Sequence, residues 1–362
     1  MGFGGWILSL PPTPAAAAAP AIASEENAAT LAALQPPKRE RPLIPMTAIS
    51  DATETAGYLM TYGILRRVDV GDVVALATAR RRSTLSALTV EPDATIAQFD
   101  AAHPGGADDV IVPAMDRDDD PAAIAWLESQ VAKGAIVVSV CAGAKMLGAA
   151  GLLDGRRATT HWYYLDELLE NSPTIKYVAD RRMVVDDRVA TTTGITASMP
   201  MMLTLIEAIV GRKTAEEIAQ NLGLMRWDAR HASGEFLLTR PFVMTVLRNL
   251  LAFWNREELG IELRPGLDEV SLALAADAWS RTYRSEVVTF AVAPTETLSG
   301  VRILPDRRTA AWLGGPLVST VENRGPVKLL DETLAAIAGR YGAPTARVVA
   351  MQLEYPRSGE VR

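Results

Sequence analysis

The sequence predicts an α/β fold in which helices cover both faces of a mostly parallel sheet. Strand-like and helix-like segments alternate after the first 42 residues, as they do in folds of this class. The segments "DDVIVPA" (108–114) and "AIVVSV" (135–140) are almost continuously apolar, which is typical of strands buried on both faces. The helix predicted between them, 120–134, has Asp120 to cap its first turn and Gly134 to end it.

The other elements before residue 225 follow the same alternation. Runs rich in Val, Ile and Thr predict strands, and longer apolar-periodic segments predict helices. The predicted strands are 43–49, 72–78, 87–93, 157–162, 182–187 and 189–194, and the predicted helices are 54–67, 143–153, 198–211 and 214–223.

The C-terminal part of the chain contains an internal echo of the first part. "TLSALTVEPD" (84–93) and "TLSGVRILPD" (297–306) share Thr, Leu, Ser, Pro and Asp in the same order, and "GDVVALA" (71–77) parallels "SEVVTFA" (285–291). Self-similarity in a fixed order predicts a partial duplicate, here one without a cysteine. The predicted organisation is an α/β domain (41–225), a helical connector (226–266) and a C-terminal α/β half-copy (267–362). In the connector and the half-copy, the predicted helices are 241–254, 267–283 and 331–342, and the predicted strands are 286–292 and 301–307.

The first 40 residues have a different composition from the rest. The segment "GWILSLPPTPAAAAAPAIASEEN" (5–27) combines a short apolar stretch, a Pro/Ala tract and a small-x-small site at 21–23. Its apolar stretch is far shorter than the roughly 20 residues that span a bilayer. We expect residues 1–40 to lie outside the fold, either as a disordered leader or as the remnant of a secretory signal or membrane anchor.

Composition excludes several functions. The net charge of −7 argues against a nucleic-acid-binding surface, which would show as clustered basic residues. The three histidines, His103, His161 and His231, lack the spacing of metal ligands, and no Gly-rich phosphate loop opens a helix. We therefore predict neither a metal site nor a cofactor. A single cysteine, Cys141, excludes an internal disulfide.

That cysteine ends a strand-like run and is followed at once by small residues and a helix-like pattern, in "VVSVCAGAKMLG" (137–148). A strand that becomes a helix within one residue forces that residue into a strained backbone, and small neighbours are needed where the two backbones crowd together. The start of the helix would place backbone N–H groups beside the sulfur, favouring the thiolate and able to hold an oxyanion. The pattern predicts a nucleophile elbow at Cys141.

The long motif around Cys141 resembles the ThiJ/PfpI superfamily, a branch of the class I glutamine amidotransferase-like fold. "VVSVCAGAKMLGAAGLLDGRRATTHWYYLDEL" is similar to the branch that includes isonitrile hydratases and the ligand-binding halves of some AraC-type regulators. "DDVIVPAMDRDDDP" and "VATTTGITASMPMMLTLIEAIVG" extend the resemblance, which covers about residues 43–225. It implies a flavodoxin-like sandwich, in agreement with the alternation of strands and helices.

The resemblance also implies a set of site residues. Cys141 would be the nucleophile, and the oxyanion donors would be backbone N–H groups of the Ala142 and Gly143 turn and of the Ala114–Met115 loop. Relatives usually have an acidic residue from the first strand–helix region, and the alignment of 49–65 places Gly57 there, with Glu54 three residues away. Ala142 stands where many relatives have a histidine, so Glu54 and His161 are the remaining candidates for proton transfer. His161 has the alternative of a histidine hydrogen-bonded to backbone.

Two functions stay open. In the first, Cys141 attacks an electrophilic carbon of a small substrate, as in a hydrolase or hydratase. In the second, the chain is a non-catalytic ligand-binding or redox-sensing protein that lacks the acid at Gly57, with Cys141 oxidised to sulfenic or sulfinic acid. A small molecule is the predicted partner in either case, and a homo-oligomer is also considered because relatives often dimerise. A true export signal would indicate a periplasmic protein, and otherwise the cytoplasm is expected.

Overall fold

The computed structural model describes residues 2–50, 53–78, 83–84, 87–318 and 324–356. Its strands are β1 (Leu43–Met46), β2 (Asp72–Ala77), β3 (Ser83–Thr84), β4 (Thr89–Glu91), β5 (Ala94–Thr95), β6 (Asp109–Val112), β7 (Ile136–Ser139), β8 (Arg157–Ala158), β9 (Lys176–Tyr177), β10 (Met183–Asp186), β11 (Val189–Thr192), β12 (Glu257–Glu262), β13 (Ser285–Ala291), β14 (Thr295–Glu296), β15 (Arg302–Leu304) and β16 (Arg307–Arg308). The α-helices are α1 (Phe3–Ser9), α2 (Ser24–Ala33), α3 (Thr55–Arg66), α4 (Ile96–Ala102), α5 (Pro121–Ala132), α6 (Gly143–Ala149), α7 (Leu165–Asn171), α8 (Ser198–Val210), α9 (Arg212–Leu222), α10 (Arg240–Leu251), α11 (Glu269–Ser280), α12 (Pro326–Tyr341) and α13 (Ala343–Leu353).

The described residues form a central seven-stranded sheet in the order β10–β11–β7–β6–β1–β2–β5. All neighbouring strands are parallel except β10, which runs antiparallel to β11. The inner strands β1, β6, β7 and β11 are buried along their whole length, which explains their continuous apolar sequences. This is the predicted flavodoxin-like arrangement, and it brings the carboxyl ends of β1, β6, β7 and β11 to one edge of the sheet.

Helices cover both faces of this sheet. One face packs against α3 and α8, whose buried residues include Leu59 and Leu203, and this core continues into α11 through Leu272. The other face packs against α4, α5, α6 and α7, represented by Phe99 and Leu127. Helix α4, which begins with a capping box at Thr95 and Gln98, was not predicted from the sequence.

The C-terminal extension has the same order of strands and helix as the first part of the fold. The series β12–α11–β13–β16 corresponds to β1–α3–β2–β5, with parallel pairing in both. The aspartate that ends each echoed segment has the same role: Asp93 accepts a hydrogen bond from Ala75 N and Asp306 accepts one from Thr289 N, both at 2.8 Å. Within the first echoed segment, residues 85 and 86 lie outside the described part.

The two copies meet across an approximate twofold axis. Strand β4 pairs antiparallel with β15 so that Val90 lies opposite its own counterpart, Ile303. Helices α3 and α11 pack together. Two reciprocal ion pairs, Arg67–Asp268 and Arg281–Glu54, join the C-terminal end of each helix to the N-terminal end of the other. Reciprocal contacts of this kind define an isologous interface, here formed within one chain.

The predicted boundaries of the connector and the leader require correction. The predicted connector 226–266 contains β12, so the repeated elements begin at Glu257; the charged residues of "EELGIE" concealed this strand. Residues in 1–40 do not lie outside the fold, since α1 contacts α10, α2 contacts α8, and Leu34 is fully buried. Among the described residues, no helix combines the length and the apolar character that crossing a bilayer requires.

Candidate active site

Cys141 occupies a tight turn between β7 and α6. Its φ angle of 55° lies in the left-handed region, which costs a non-glycine residue about 1–2 kcal/mol. The conformation is held from both sides: Cys141 N donates to Thr192 Oγ1 at 3.1 Å, and Thr160 Oγ1 donates to the Cys141 carbonyl at 3.1 Å. The strained elbow expected from the sequence is therefore present at the carboxyl end of β7.

The turn opens into a cavity of about 750 Å³ that residues from both copies line. Cys141 is buried but contributes to the cavity wall, beside Glu54 from the start of α3. Asp277 and Arg281 of α11 line the same cavity, so the C-terminal copy completes a site that the first copy begins. Neither residue of α11 was predicted from the sequence, because nothing in the local pattern distinguishes Asp277 and Arg281 from the other charged residues of the chain.

Glu54 caps the N-terminus of α3 and faces the thiol. Its carboxylate accepts hydrogen bonds from Ala56 N and Gly57 N, and Arg281 donates to it from 3.3 Å. The guanidinium of Arg281 also binds Asp277 at 2.7 Å, so two buried carboxyl groups and one partly exposed guanidinium form one cluster. Burial, followed by the charge of Asp277, raises the pKa of Glu54 to about 7, although Arg281 and the two backbone N–H groups oppose this shift.

Arg281 has a counterpart in the other half of the chain. It follows the last residue of α11 and pairs with Glu54 at the start of α3, and in the same way Arg67, after the end of α3, pairs with Asp268 at the start of α11. The second pair lies away from the cysteine, outside the cavity that Cys141 lines. It therefore offers a natural control for experiments on Arg281.

The expectation that Gly57 deprives the site of its acid is wrong. A Cβ atom at residue 57 would lie 3.0 Å from Glu54 Oε2 and 3.5 Å from Ala114 N. Because Gly57 has no side chain, the carboxylate of Glu54, three residues before it in the chain, occupies this space. A carboxyl group is present beside the thiol, and the missing side chain at residue 57 is what makes room for it.

The state of the thiol differs from the expected thiolate. Burial, then the negative charges of Glu54 and Glu354, raise the pKa of Cys141 well above its ordinary value. Arg281 and the backbone N–H of Ala142 act in the opposite direction but do not outweigh them. Cys141 is therefore a thiol at neutral pH, and its attack on a substrate requires a proton acceptor.

His161 does not provide that acceptor. Its Nε2 donates to the Gln352 carbonyl at 3.0 Å, and its Nδ1 accepts from Tyr163 N at 3.2 Å, where it caps a short 3₁₀ turn. Burial lowers its pKa to about 3. His161 is a neutral wall of the cavity with both ring nitrogens bonded to backbone, so its predicted role as a general base is corrected to a structural one.

The candidate oxyanion donors fall into two groups. Ala114, Met115 and Ala142 line the cavity with Cys141, and the Ala114 carbonyl accepts a hydrogen bond from Glu54 N at 2.9 Å, which ties the two loops together. Gly143 does not belong with them, because its N–H donates to the Val140 carbonyl at 2.9 Å. We therefore keep the first three as candidate donors and assign Gly143 to the packing of the turn.

A second buried carboxyl lies behind the cavity wall. Glu354, just after α13, is 3% exposed and accepts a hydrogen bond from Trp162 N at 2.8 Å. Its Oε2 lies 3.5 Å from Nε2 of His231, a buried histidine whose pKa is lowered to about 4, chiefly by burial. Burial raises the pKa of Glu354 to about 7. No local pattern in the sequence indicates this residue, since the end of α13 reaches the site only through tertiary packing.

These buried groups predict that the protein loses stability between pH 6.5 and pH 8. Glu54 and Glu354 have folded-state pKa values near 7, above their ordinary 4.5, so the folded state holds protons that the unfolded state has released. Ionising each group in the folded protein costs on the order of 1 kcal/mol over this interval. The buried histidines have lowered pKa values and reduce stability only below about pH 6.5.

Urea unfolding at pH 6.5 and pH 8 measures this effect. The Glu354→Gln variant serves as the comparison, because it removes one of the two groups and should show a smaller fall in the free energy of unfolding. Equal or greater stability at pH 8 would contradict the assignment.

Several known proteins are similar to part of this chain. Isonitrile hydratase of Pseudomonas putida is 42% identical over 120 residues, which are 33% of this chain and 49% of the relative. The HTH-type transcriptional regulator CdhR of Pseudomonas aeruginosa is 35% identical over 29% of this chain and 31% of its own length. The chain thus spans about half or less of these two relatives.

A solved structure of a mutant DJ-1 superfamily protein from Salmonella typhimurium covers 50% of this chain, with 26% identity and a TM-score of 0.44. An AraC family transcriptional regulator from Pseudomonas putida covers 49%, with 19% identity and a TM-score of 0.43. The model of the DJ-1/PfpI family matches residues 46–208, the segment that carries Glu54, the Ala114–Met115 loop and the cysteine turn. By this match, residues 46–208 of the chain belong to the DJ-1/PfpI family.

Proposed function

We propose that this chain is a cysteine-dependent enzyme that adds water to a small electrophilic carbon, with an isonitrile as the first substrate to test. The observation that carries the proposal is the pairing, within one cavity, of the Cys141 thiol with the Glu54 carboxyl, whose pKa is about 7. A group with a pKa near the working pH both accepts and returns a proton efficiently. The 42% identity to an isonitrile hydratase over 120 residues supports the choice of substrate.

In the first step, the thiol of Cys141 gives its proton to Glu54 as the sulfur bonds to the terminal carbon of the isonitrile. Glu54 then passes that proton to the same carbon, leaving a thioimidate on the cysteine and an ionised carboxylate. The partly buried guanidinium of Arg281, 3.3 Å from Glu54, stabilises the ionised carboxylate until the second step.

In the second step, water adds to the thioimidate carbon, and the nitrogen takes up one proton. The hydroxyl of this tetrahedral intermediate loses its proton to Glu54 as the carbon–oxygen double bond forms and the carbon–sulfur bond breaks. The sulfur recovers the proton from Glu54. One water is consumed, and the product is an N-substituted formamide. Backbone N–H groups of Ala142 and the Ala114–Met115 loop are the candidate donors to the developing oxyanion.

A second candidate function is ligand binding without turnover. The match to an HTH-type transcriptional regulator, 35% identical over 106 residues, favours it. In this alternative the cavity binds a small molecule and Cys141 forms no covalent bond with it.

Incubation of the purified chain with cyclohexyl isocyanide tests the proposal directly. We expect N-cyclohexylformamide to accumulate, detected by NMR, at a rate proportional to protein concentration. Binding of the isocyanide without any formamide would support the ligand-binding candidate instead. If the chain neither binds the isocyanide nor converts it, the isonitrile is rejected as a substrate of this cavity.

Arg281 should control the pH dependence of the reaction. Replacing Arg281 with methionine keeps most of the volume but removes the positive charge that opposes the raised pKa values of Glu54 and Cys141. We expect the rising limb of the pH–rate profile to move upward by about one unit and the rate at pH 7 to fall by about fivefold, because a smaller fraction of Glu54 is then ionised.

The matched control for this variant is Arg67→Met, which breaks the equivalent pair with Asp268 at the other end of the helix pair. Its pH–rate profile should coincide with that of the unmodified chain. An equal loss in both variants would assign Arg281 to stability alone rather than to the positioning of Glu54.

A further inference from the structure

The far wall of the cavity is built by segments outside residues 46–208. Trp6 of α1 lines it, together with Leu238 and four side chains of α10. The four side chains are Phe242, Val243, Val246 and Leu247. The cavity lining therefore combines polar groups, among them Cys141 and Glu54, with an apolar helix face that residues 46–208 do not supply.

Helix α10 holds this apolar wall in a fixed orientation. Asn249, fully buried on another side of the helix, donates to the Thr282 carbonyl and to Thr345 Oγ1, both at 3.0 Å. Val243 and Leu247 lie one turn apart on the side that faces the cavity, whereas Met244 is 52% exposed and does not line it. The wall is thus a built surface of a packed helix, not a loop that happens to lie nearby.

The charges in the cavity disfavour an anionic ligand. Arg281 is the only lysine or arginine among the described lining residues, and it is bonded to Asp277 and Glu54. Asp116 adds a further carboxylate to the lining. A carboxylate or phosphate on the ligand would meet no uncommitted cation there and would lie near several acidic groups.

We propose that the substrate is an uncharged molecule with a large alkyl or aryl body and a small electrophilic head. The head lies at Cys141 and the body lies along α10, against Val243 and Leu247. A cavity of about 750 Å³ is in the size range of sites for drug-sized ligands. The inference rests on the proposed function, because it concerns the same cavity.

The test uses the Cys141→Ser chain, so that binding is measured without any reaction at the thiol. N-butyl-, N-hexyl- and N-octylformamide are compared with the carboxylates pentanoate, heptanoate and nonanoate by calorimetry at pH 7.5. The dissociation constants of the formamides should fall by about fourfold for each methylene that packs against the apolar wall. The carboxylates should bind at least about tenfold more weakly than formamides of equal length.

Two further variants locate the alkyl chain. Leu247→Asn should weaken N-octylformamide by at least about tenfold, because a polar amide then lies in the apolar wall without a partner. Met244→Asn, on the same helix but outside the lining, should leave binding unchanged. The length series on the Cys141→Ser chain needs neither variant, so a poorly folded Leu247→Asn protein does not remove the test.

Affinity that is independent of chain length, carboxylates that bind as well as formamides, or equal effects of Leu247→Asn and Met244→Asn would each overturn the inference. A different result would contradict the proposed function alone. In that case the affinities would still depend on chain length, but the unmodified chain would convert no isonitrile. If instead the chain hydrates small polar isonitriles and shows no length dependence, the catalytic proposal stands and the apolar substrate class is wrong.

Discussion

Replacement of Cys141 with serine is expected to lower the rate of formamide production by at least about 1,000-fold. A hydroxyl gives up its proton far less readily than a thiol, and a carboxyl with a pKa of about 7 cannot remove it effectively. Because the chain has one cysteine, a thiol assay should report one reactive group per unfolded chain before the substitution and none after it. The measurement is the initial rate at saturating isonitrile.

Thermal unfolding provides the control for this variant. Serine differs from cysteine by one atom and keeps the backbone N–H that donates to Thr192, so the melting temperature should change by only a few degrees. A serine variant that folds normally and keeps more than about a tenth of the activity would show that the nucleophile lies elsewhere.

Replacement of Gly143 with alanine is expected to destabilise the fold by about 2–4 kcal/mol. A Cβ atom at this position would lie 2.4 Å from the Val112 carbonyl oxygen and 2.8 Å from that of Pro113. Both contacts are with backbone of the neighbouring strand and loop, so the start of α6 must move away from them. That movement would also displace Cys141, and activity should fall together with stability.

The control for Gly143 is Gly339→Ala, in the interior of α12. A Cβ atom there meets nothing within 4 Å, and alanine is the better helix former, so stability should be unchanged or rise by up to about 1 kcal/mol. Urea unfolding of both variants measures the difference. If Gly143→Ala unfolds at the same urea concentration as the unmodified chain, the close approach of α6 to β6 is not required.

The predictions made most directly from the sequence depend on local patterns. The elbow at Cys141 follows from a β-branched strand that meets small residues and a helix within a few positions, and these constraints act on neighbouring residues. The parallel sheet follows similarly from continuous apolar runs. The prediction of a partial duplicate rests on a strand, a turn and an aspartate, Asp93 or Asp306, that recur in the same order.

The features that the sequence did not predict depend on contacts between distant parts of the chain. Arg281 reaches Glu54 across 227 positions, and Glu354 reaches Trp162 across 192. The expected absence of the acid at Gly57 was wrong because a one-residue alignment does not show where a side chain from the previous turn extends. The leader was misjudged because its Ala/Pro composition hides the few apolar anchors, such as Leu34, that bind it to the fold.

The approximate twofold relation between α3 and α11 has a consequence for how this site can change over evolutionary time. In a symmetric dimer of identical chains, one codon specifies a residue in two places, so any change that improves one active site alters the other as well. Here the corresponding positions are encoded separately, and they already differ: Arg66 at the end of α3 has Ser280 as its counterpart in α11. Ser280 borders the cysteine cavity and Arg66 does not. A tandem gene product of this kind can adapt one pocket to a new ligand while the other half preserves the framework.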